Sequence, residues 1–119
     1  MRPRIWKKKH KIYVNDTDCT GLVYHANYLK FLEQARSDIF NLICEKMKIN
    51  TDEFFKSYGF FVVRKVNIHY LKAMRLFDEA VIESSFRLSS GVRMQWSQKM
   101  VCSKKAETYV QADIEIICV

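Results

Sequence analysis

The sequence predicts an α+β two-layer domain, in which a five-stranded antiparallel sheet curls around one long helix. In the segment 28–47, apolar residues recur at spacings of three and four, which is typical of a helix packed on a core. After Gly59 the pattern changes to an alternation of apolar and polar residues, which is typical of strands. One long helix and several strands that do not alternate with further helices favour the α+β class.

The N-terminal half contains the helical signals. A strand is predicted over 5–15 and a polar loop over 16–21, because turn-forming residues follow the apolar run. The long helix is predicted from Tyr28 to Met47, with Asn27 as its N-cap, since a short polar side chain can accept from the free amides of the first turn. A shorter helix is predicted over 51–58, where acidic residues mark its start and a glycine follows its end.

The C-terminal half contains four alternating runs that predict strands, over 60–70, 80–88, 94–102 and 110–118. No proline interrupts them. Compact turns at 89–91 and 103–105 predict hairpins, and the four strands are expected to form an antiparallel meander. The edges of such a sheet favour association into dimers or larger closed assemblies.

Composition limits the class of protein. The chain of 119 residues predicts a single domain over 1–119, and 49% hydrophobic residues with three glycines exclude a disordered chain. No apolar run is long enough to span a bilayer. The net charge is +7, and the segment 1–11 contributes six of these positive charges. Without a zinc-finger spacing or an RNA-recognition motif, this basic segment predicts a solubilising end and no nucleic-acid binding.

The cysteines and histidines give no metal-binding pattern. The four cysteines are scattered without a C-x-x-C pair, and no histidine stands at a ligand spacing from them. The N-terminus is basic but lacks a following apolar stretch, so it does not resemble a secretory signal. We therefore expect reduced thiols, no metal, and a cytoplasmic location.

The segment 14–29 is the best candidate for chemistry. It holds a carboxylate, Asp18, in a loop before the long helix, and a histidine, His25, that can titrate near neutral pH. The amides around Asn27 lie at a helix start, where unpaired N–H groups favour negative charge. Such a carboxylate could attack a carbonyl, or activate water toward it, while the amides hold the oxyanion. Helix capping and a structural histidine explain the same residues without catalysis.

A longer motif surrounds these residues. It runs Asp16-Thr17-Asp18-x-x-Gly21-Leu22-Val23-Tyr24-His25-Ala26-Asn27-Tyr28, followed by Phe31-Leu32-Glu33-x-Ala35-Arg36. This motif resembles the signature of YbgC-type acyl-CoA thioesterases, which belong to the 4-hydroxybenzoyl-CoA thioesterase branch of the hotdog-fold proteins. The resemblance continues through Val62-Val63-Arg64-Lys65 and covers nearly the whole chain.

The resemblance implies a hotdog fold and active sites at a dimer interface. It also implies a homodimer that pairs at sheet edges, or a homotetramer formed from two such dimers. It assigns the catalytic carboxylate to Asp18, and it places His25 near the helix start that polarises the thioester carbonyl. Tyr24 and Asn27 match motif positions that shape this turn, and we expect both to contact substrate. Arg93 is a further candidate for binding substrate through its phosphates, although a solvated strand position explains it equally well.

The sequence therefore predicts an acyl-CoA thioesterase that hydrolyses a thioester to a free acid and coenzyme A. An acyl carrier protein is a second possible carrier of the acyl group. No cofactor is expected, because coenzyme A is part of the substrate. The alternative is a non-catalytic hotdog module that binds an acyl chain or an acyl carrier protein, which would have no need of a carboxylate at the carbonyl site.

Overall fold

The computed structural model describes residues 4–89 and 93–119. Within these residues the chain forms five strands and two α-helices: β1 (Trp6–Lys11), α1 (His25–Met47), α2 (Thr51–Tyr58), β2 (Phe61–Tyr70), β3 (Glu79–Ser89), β4 (Arg93–Cys102) and β5 (Thr108–Cys118). The strands form one antiparallel sheet in the order β1-β3-β4-β5-β2. The predicted α+β class and the five-stranded antiparallel sheet of the hotdog fold are confirmed.

The predicted meander of four strands is wrong for β2. Strands β3, β4 and β5 follow one another in the sheet, but β2 pairs with β5 at the far edge. The reason is the connection 71–78, which is too long for a hairpin. It is bonded to the start of β5 through Leu71 N–H and the Tyr109 carbonyl (2.8 Å), and then to the region before α1 through the Met74 carbonyl and Val23 N–H (2.9 Å). The connection therefore crosses one end of the sheet.

Helix α1 covers one face of the sheet. Its apolar positions are buried in a single core with the inward residues of the strands, among them Leu32 of α1, Ile82 of β3 and Met100 of β4. Full burial of each such side chain stabilises the fold by about 1.5–3 kcal/mol relative to exposure. The predicted helix is confirmed, but it begins earlier, at His25, and Tyr24 occupies the N-cap position. The predicted N-cap role of Asn27 is wrong, since this residue lies inside the first turn.

The first strand is shorter than predicted. It ends at Lys11, and a 3₁₀ turn over Val14–Asp16 follows it. The turn forms because the Asp16 carboxylate accepts from Tyr13 N–H (3.0 Å), while the Asp16 amide donates to the Tyr13 carbonyl (2.9 Å). The basic N-terminal segment is thus mainly a strand, with alternate lysines exposed to water.

Helix α2 has the predicted bounds. The Asn50 side chain caps it by accepting from Glu53 N–H (3.1 Å). Gly59 follows its last residue, with a φ of +89° in the range that favours glycine. Gly59 also lies against the backbone of Val119, where a Cβ would clash with the carbonyl oxygen. The aromatic residues of α2 pack on Phe40 of α1 and so close one end of the α1–sheet interface.

Polar and charged residues recur along both helices. Over residues 4–89 and 93–119, neither helix offers an apolar segment of the length that a membrane crossing needs. The predicted hairpin turn at 89–91 falls partly outside these residues.

Candidate active site

Backbone hydrogen bonds within the loop between β1 and α1 hold it in a compact shape. Asp18 N–H donates to the Leu22 carbonyl (2.8 Å), and Gly21 N–H donates to the Asp18 carbonyl (3.2 Å). Gly21 has a φ of +79°, which is accessible to glycine at little cost. A β-bridge between Leu22 and Arg75 ties the loop to the connection after β2. The loop is therefore a compact turn with a fixed position at one end of the sheet.

Asp18 lies exposed at the tip of this turn. One oxygen of its carboxylate, Oδ1, accepts hydrogen bonds from the Thr20 N–H (2.8 Å) and the Thr20 hydroxyl (2.5 Å). The bond from the Thr20 side chain is the main reason that the pKa of Asp18 lies below its usual value. The carboxylate is thus ionised at neutral pH, and its second oxygen accepts no hydrogen bond from the described residues.

The start of α1 provides backbone donors beside the loop that carries this carboxylate. The His25 and Ala26 amides make no hydrogen bond to the described residues, and Tyr24 contributes no side-chain cap. Unpaired amides at a helix start attract negative charge. The Asp16 carbonyl accepts from Tyr24 N–H (3.3 Å) and from the Asn27 side-chain amide (2.9 Å). The loop is therefore bonded to the helix start through a residue two positions before Asp18.

Aromatic side chains surround His25. The ring of Tyr24 lies 4.6 Å from the His25 ring between centroids, and Tyr70, at the end of β2, lies edge-on at 6.3 Å. Tyr28 contacts Tyr70 at 5.7 Å, and its buried hydroxyl accepts from Met74 N–H at 2.9 Å. Tyr70 was not among the predicted site residues, because nothing in the sequence links the end of a strand to a histidine 45 positions earlier.

The predicted site residues divide into two locations. Asp18, Tyr24, His25 and Asn27 come together at one end of the sheet. Arg93 begins β4 at the opposite end, where it faces Glu115 at 3.9 Å. Nine residues of extended strand separate Arg93 from the other end of β4, a distance of about 30 Å. Within one chain, Arg93 does not contribute to the site around Asp18.

A cavity of about 200 Å³ lies between α1, α2 and the sheet. Its walls are mainly apolar and aromatic, from Phe40, Phe55, Phe61, Phe86 and Trp96. One buried charged residue, Arg36 of α1, also lines it. Arg36 is part of the family motif, but no pattern in the sequence predicted the cavity that it lines.

A wider groove of about 880 Å³ borders the anchored loop at Asn15 and Asp16. Four lysines line it, and none of them lies within 4 Å of a carboxylate in the described part of the chain: Lys9, Lys11, Lys30 and Lys104. Unpaired lysines favour anions such as phosphates. Across residues 4–89 and 93–119, no group of three His, Cys, Asp or Glu side chains is arranged to hold a metal ion.

Comparisons with known proteins agree with this geometry. The sequence model of the thioesterase superfamily matches residues 20–109. The acyl-CoA thioester hydrolase YbgC of Shigella flexneri is 26% identical over 127 residues, which span 100% of this chain and 85% of that protein. The acyl-CoA thioesterase YbgC of Helicobacter pylori is 30% identical over 99 residues, which span 81% of this chain and 67% of that protein.

A solved structure extends the similarity to the fold. The crystal structure of a probable thioesterase from Bartonella henselae superposes with a TM-score of 0.76 and 28% sequence identity, covering 97% of this chain and 90% of that one. Since the family model covers well over half of the sequence, the chain belongs to the thioesterase superfamily. The predicted resemblance to the YbgC-type enzymes is thereby confirmed.

Proposed function

We propose that this protein is an acyl-CoA thioesterase that uses Asp18 to hydrolyse the thioester. The observation that carries the proposal is the ionised, exposed carboxylate of Asp18 in a loop that is hydrogen-bonded to the unpaired start of α1. Membership of the thioesterase superfamily and similarity to YbgC acyl-CoA thioesterases support the substrate class.

The reaction needs an attacking group on one side of the carbonyl and hydrogen-bond donors on the other. Asp18 either takes a proton from water, which adds to the carbonyl carbon, or adds to that carbon itself to form a mixed anhydride. In both routes the carbon–sulfur bond breaks and coenzyme A leaves as the thiol. Label found in Asp18 after a single turnover in oxygen-labelled water would establish the anhydride route, because only water attack on the Asp18 carbon of the anhydride places it there.

The start of α1 supplies the electrophilic side in this proposal. The His25 and Ala26 amides would donate to the oxygen that becomes negative when the carbonyl is attacked. The His25 and Tyr24 rings, both exposed, would hold the thioester against these amides. Asn27 would act indirectly, by fixing the position of the loop that carries Asp18.

Strand β2 supports a homodimer. It is an edge strand, and Val63, Val66 and Tyr70 are 46%, 42% and 45% exposed although each is paired with a core residue of β5 on the inner face of the sheet. Such an edge favours pairing with a second copy. Antiparallel pairing of two β2 strands would bring the Tyr70 end of one chain beside the Phe61 end of its partner.

This arrangement would put each catalytic loop next to the cavity of the other chain, because Phe61 and Val63 line the cavity while Tyr70 contacts His25. The test is to co-express Asp18→Asn with Met94→Trp, which fills the cavity from β4 and leaves the β2 edge unchanged. If the two parts come from different chains, the mixture recovers about one quarter of the wild-type rate, because half of the randomly formed dimers are mixed and each mixed dimer keeps one intact site. If both parts come from one chain, the mixture stays inactive.

The lysine-lined groove supports binding of the coenzyme A phosphates, since it borders the loop that carries Asp18. The same positive charge would suit the acidic surface of an acyl carrier protein. The four cysteines are free thiols, which supports action in a reducing compartment such as the cytoplasm.

The proposed activity is tested by incubating the protein with a panel of acyl-CoAs of different chain length and trapping the released thiol. Release above the uncatalysed rate is expected for at least one of them. Binding of acyl-CoA without any release would instead favour the non-catalytic binding module.

A further inference from the structure

The aromatic cavity contains one buried charged residue. Arg36 of α1 is only 8% exposed and lies among apolar and aromatic walls. A charged side chain in such surroundings is costly unless it is paired. Burial accordingly lowers the pKa of Arg36, although arginine stays protonated at any physiological pH.

The hydrogen bonds made by the described residues satisfy only part of this guanidinium. One nitrogen, Nη1, donates to Gln98 Oε1 at 2.9 Å. The amide nitrogen of Gln98 in turn donates to the Leu32 carbonyl and to the Ser84 hydroxyl, both at 3.0 Å, so the network fixes where Arg36 points. The other guanidinium nitrogens of Arg36 make no hydrogen bond to the described residues, and Arg36 lines the cavity.

Arg36 also lacks an ion pair within the described part of the chain. No carboxylate of these residues lies within 4 Å of its guanidinium. Glu33, one turn earlier on α1, partly offsets the effect of burial on the Arg36 pKa, but it is exposed at the edge of the cavity. Water screens a charge in that position, so it compensates a buried cation only weakly.

We infer that the cavity binds the acyl part of the substrate and that Arg36 recognises a carboxylate at the far end of that acyl group. This inference rests on the proposed thioesterase function. The apolar walls match a hydrocarbon segment, and the open guanidinium fork matches a carboxylate in a bidentate geometry. A volume of about 200 Å³ is below the ~300–1,000 Å³ of pockets for drug-sized ligands, so the acyl group is short.

The test compares acyl-CoAs in matched pairs that differ only in a terminal carboxylate, such as adipyl-CoA with hexanoyl-CoA and succinyl-CoA with butyryl-CoA. For the wild type, we expect kcat/KM to be about tenfold or more in favour of the carboxylated member of at least one pair. Arg36→Met should abolish that preference, by lowering kcat/KM for the carboxylated substrate about tenfold more than for the uncharged one. Arg36→Lys should retain part of the preference, because it keeps the charge but loses the fork.

Arg87→Met is the matched control. Arg87 is exposed on β3 and does not line the cavity, so the same substitution there should leave both members of each pair unchanged. Thermal unfolding of the Arg36 variants, with gel filtration for their oligomeric state, checks that the fold and assembly survive.

Two results would overturn the inference. Equal losses for carboxylated and uncharged substrates in Arg36→Met would mean that Arg36 only supports the fold through Gln98. Dissociation of the Arg36→Met dimer, with no change in selectivity, would mean that Arg36 pairs with a carboxylate of the partner.

A binding measurement tests, independently of catalysis, whether Arg36 recognises the terminal carboxylate. Calorimetry on the Asp18→Asn protein should give a Kd for adipyl-CoA about tenfold below that for hexanoyl-CoA, and the double variant Asp18→Asn, Arg36→Met should bind both equally. If wild type cleaves no thioester but this binding preference is present, the proposed function fails and the role of Arg36 stands. If wild type cleaves both substrates without preference and binds them equally, the role of Arg36 fails and the proposed function stands.

Discussion

The side-chain amide of Asn27 donates a hydrogen bond to the backbone carbonyl of Asp16, with 2.9 Å between the two atoms. The same carbonyl accepts from Tyr24 N–H. These bonds join the loop that carries Asp18 to the first turn of α1. They therefore fix the relative position of the carboxylate and the helix-start amides, which are the two halves of the proposed catalytic site.

Asn27 should consequently act as a positioning residue. Asn27→Ala removes the bond to Asp16, and we expect kcat to fall by tenfold or more, because catalysis is sensitive to displacements of about 1 Å. The free energy of unfolding should fall by only about 1 kcal/mol. Steady-state kinetics and urea unfolding measure the two effects. Asn41→Ala, on an exposed face of the same helix, is the control, and it should change neither; a loss of stability in Asn27→Ala with full activity would contradict the positioning role.

The Thr20 hydroxyl should set the acidic limit of activity. Its hydrogen bond stabilises the ionised form of Asp18 and lowers the pKa of that carboxyl. Thr20→Ala removes this bond, so the pKa of Asp18 should rise, and the pH below which kcat/KM declines should rise with it. Thr20→Ser keeps the hydroxyl and should retain the wild-type profile. Identical acidic limits for all three proteins would show that the titration of Asp18 does not control the rate.

The exposed edge of β2 should hold the dimer together. Val66 lies near the middle of β2, where antiparallel pairing with a second copy would bring the two Val66 side chains close to one another. Val66→Glu would set two carboxylates against each other, and we expect sedimentation to show a monomer with little activity. Leu88→Glu alters an exposed hydrophobic residue on β3, which β4 and β5 separate from β2, and should remain dimeric. A wild-type monomer at micromolar concentration would exclude the dimer.

Of the two glycines that have a positive φ, Gly59 should lose more stability when it is replaced by alanine. Gly59→Ala combines the positive φ with a Cβ that meets the Val119 carbonyl, so we expect unfolding to require at least ~2 kcal/mol less free energy. Gly21→Ala meets no atom within 4 Å and should lose only about 1 kcal/mol from its positive φ. Urea unfolding of both variants checks the difference, and equal losses would mean that contact with Val119 is unimportant.

Local sequence patterns predicted the elements better than their arrangement. The spacing from Tyr28 to Met47 identified α1, because one face of a helix must meet the core at regular intervals. The N-cap was misplaced, because the polar side chain of Asn27 bonds to the preceding loop and leaves the cap position to Tyr24. The position of β2 was also misjudged, since alternation reveals that a strand exists but not which strand lies beside it.

The cavity could not be predicted from the sequence, for a related reason. Arg36 and Gln98 are 62 positions apart, and only the folded sheet brings them into contact. A motif identifies Arg36 as a helical residue, but its lack of a carboxylate partner follows from three-dimensional packing. The Asp18 site was predictable because its parts are close together in the chain, within one loop and the helix that follows.

The most direct test of the account is the turnover of Asp18→Asn. This substitution keeps the size of the side chain but removes its negative charge and basicity, so both routes of thioester hydrolysis should fail. Release of coenzyme A from the best acyl-CoA substrate should fall by about 100-fold or more, while calorimetry shows that acyl-CoA still binds. Asp16→Asn, which affects only the turn before the loop, should be milder. Wild-type turnover by Asp18→Asn, or a greater loss in Asp16→Asn, would contradict the assignment of Asp18 as the catalytic carboxylate.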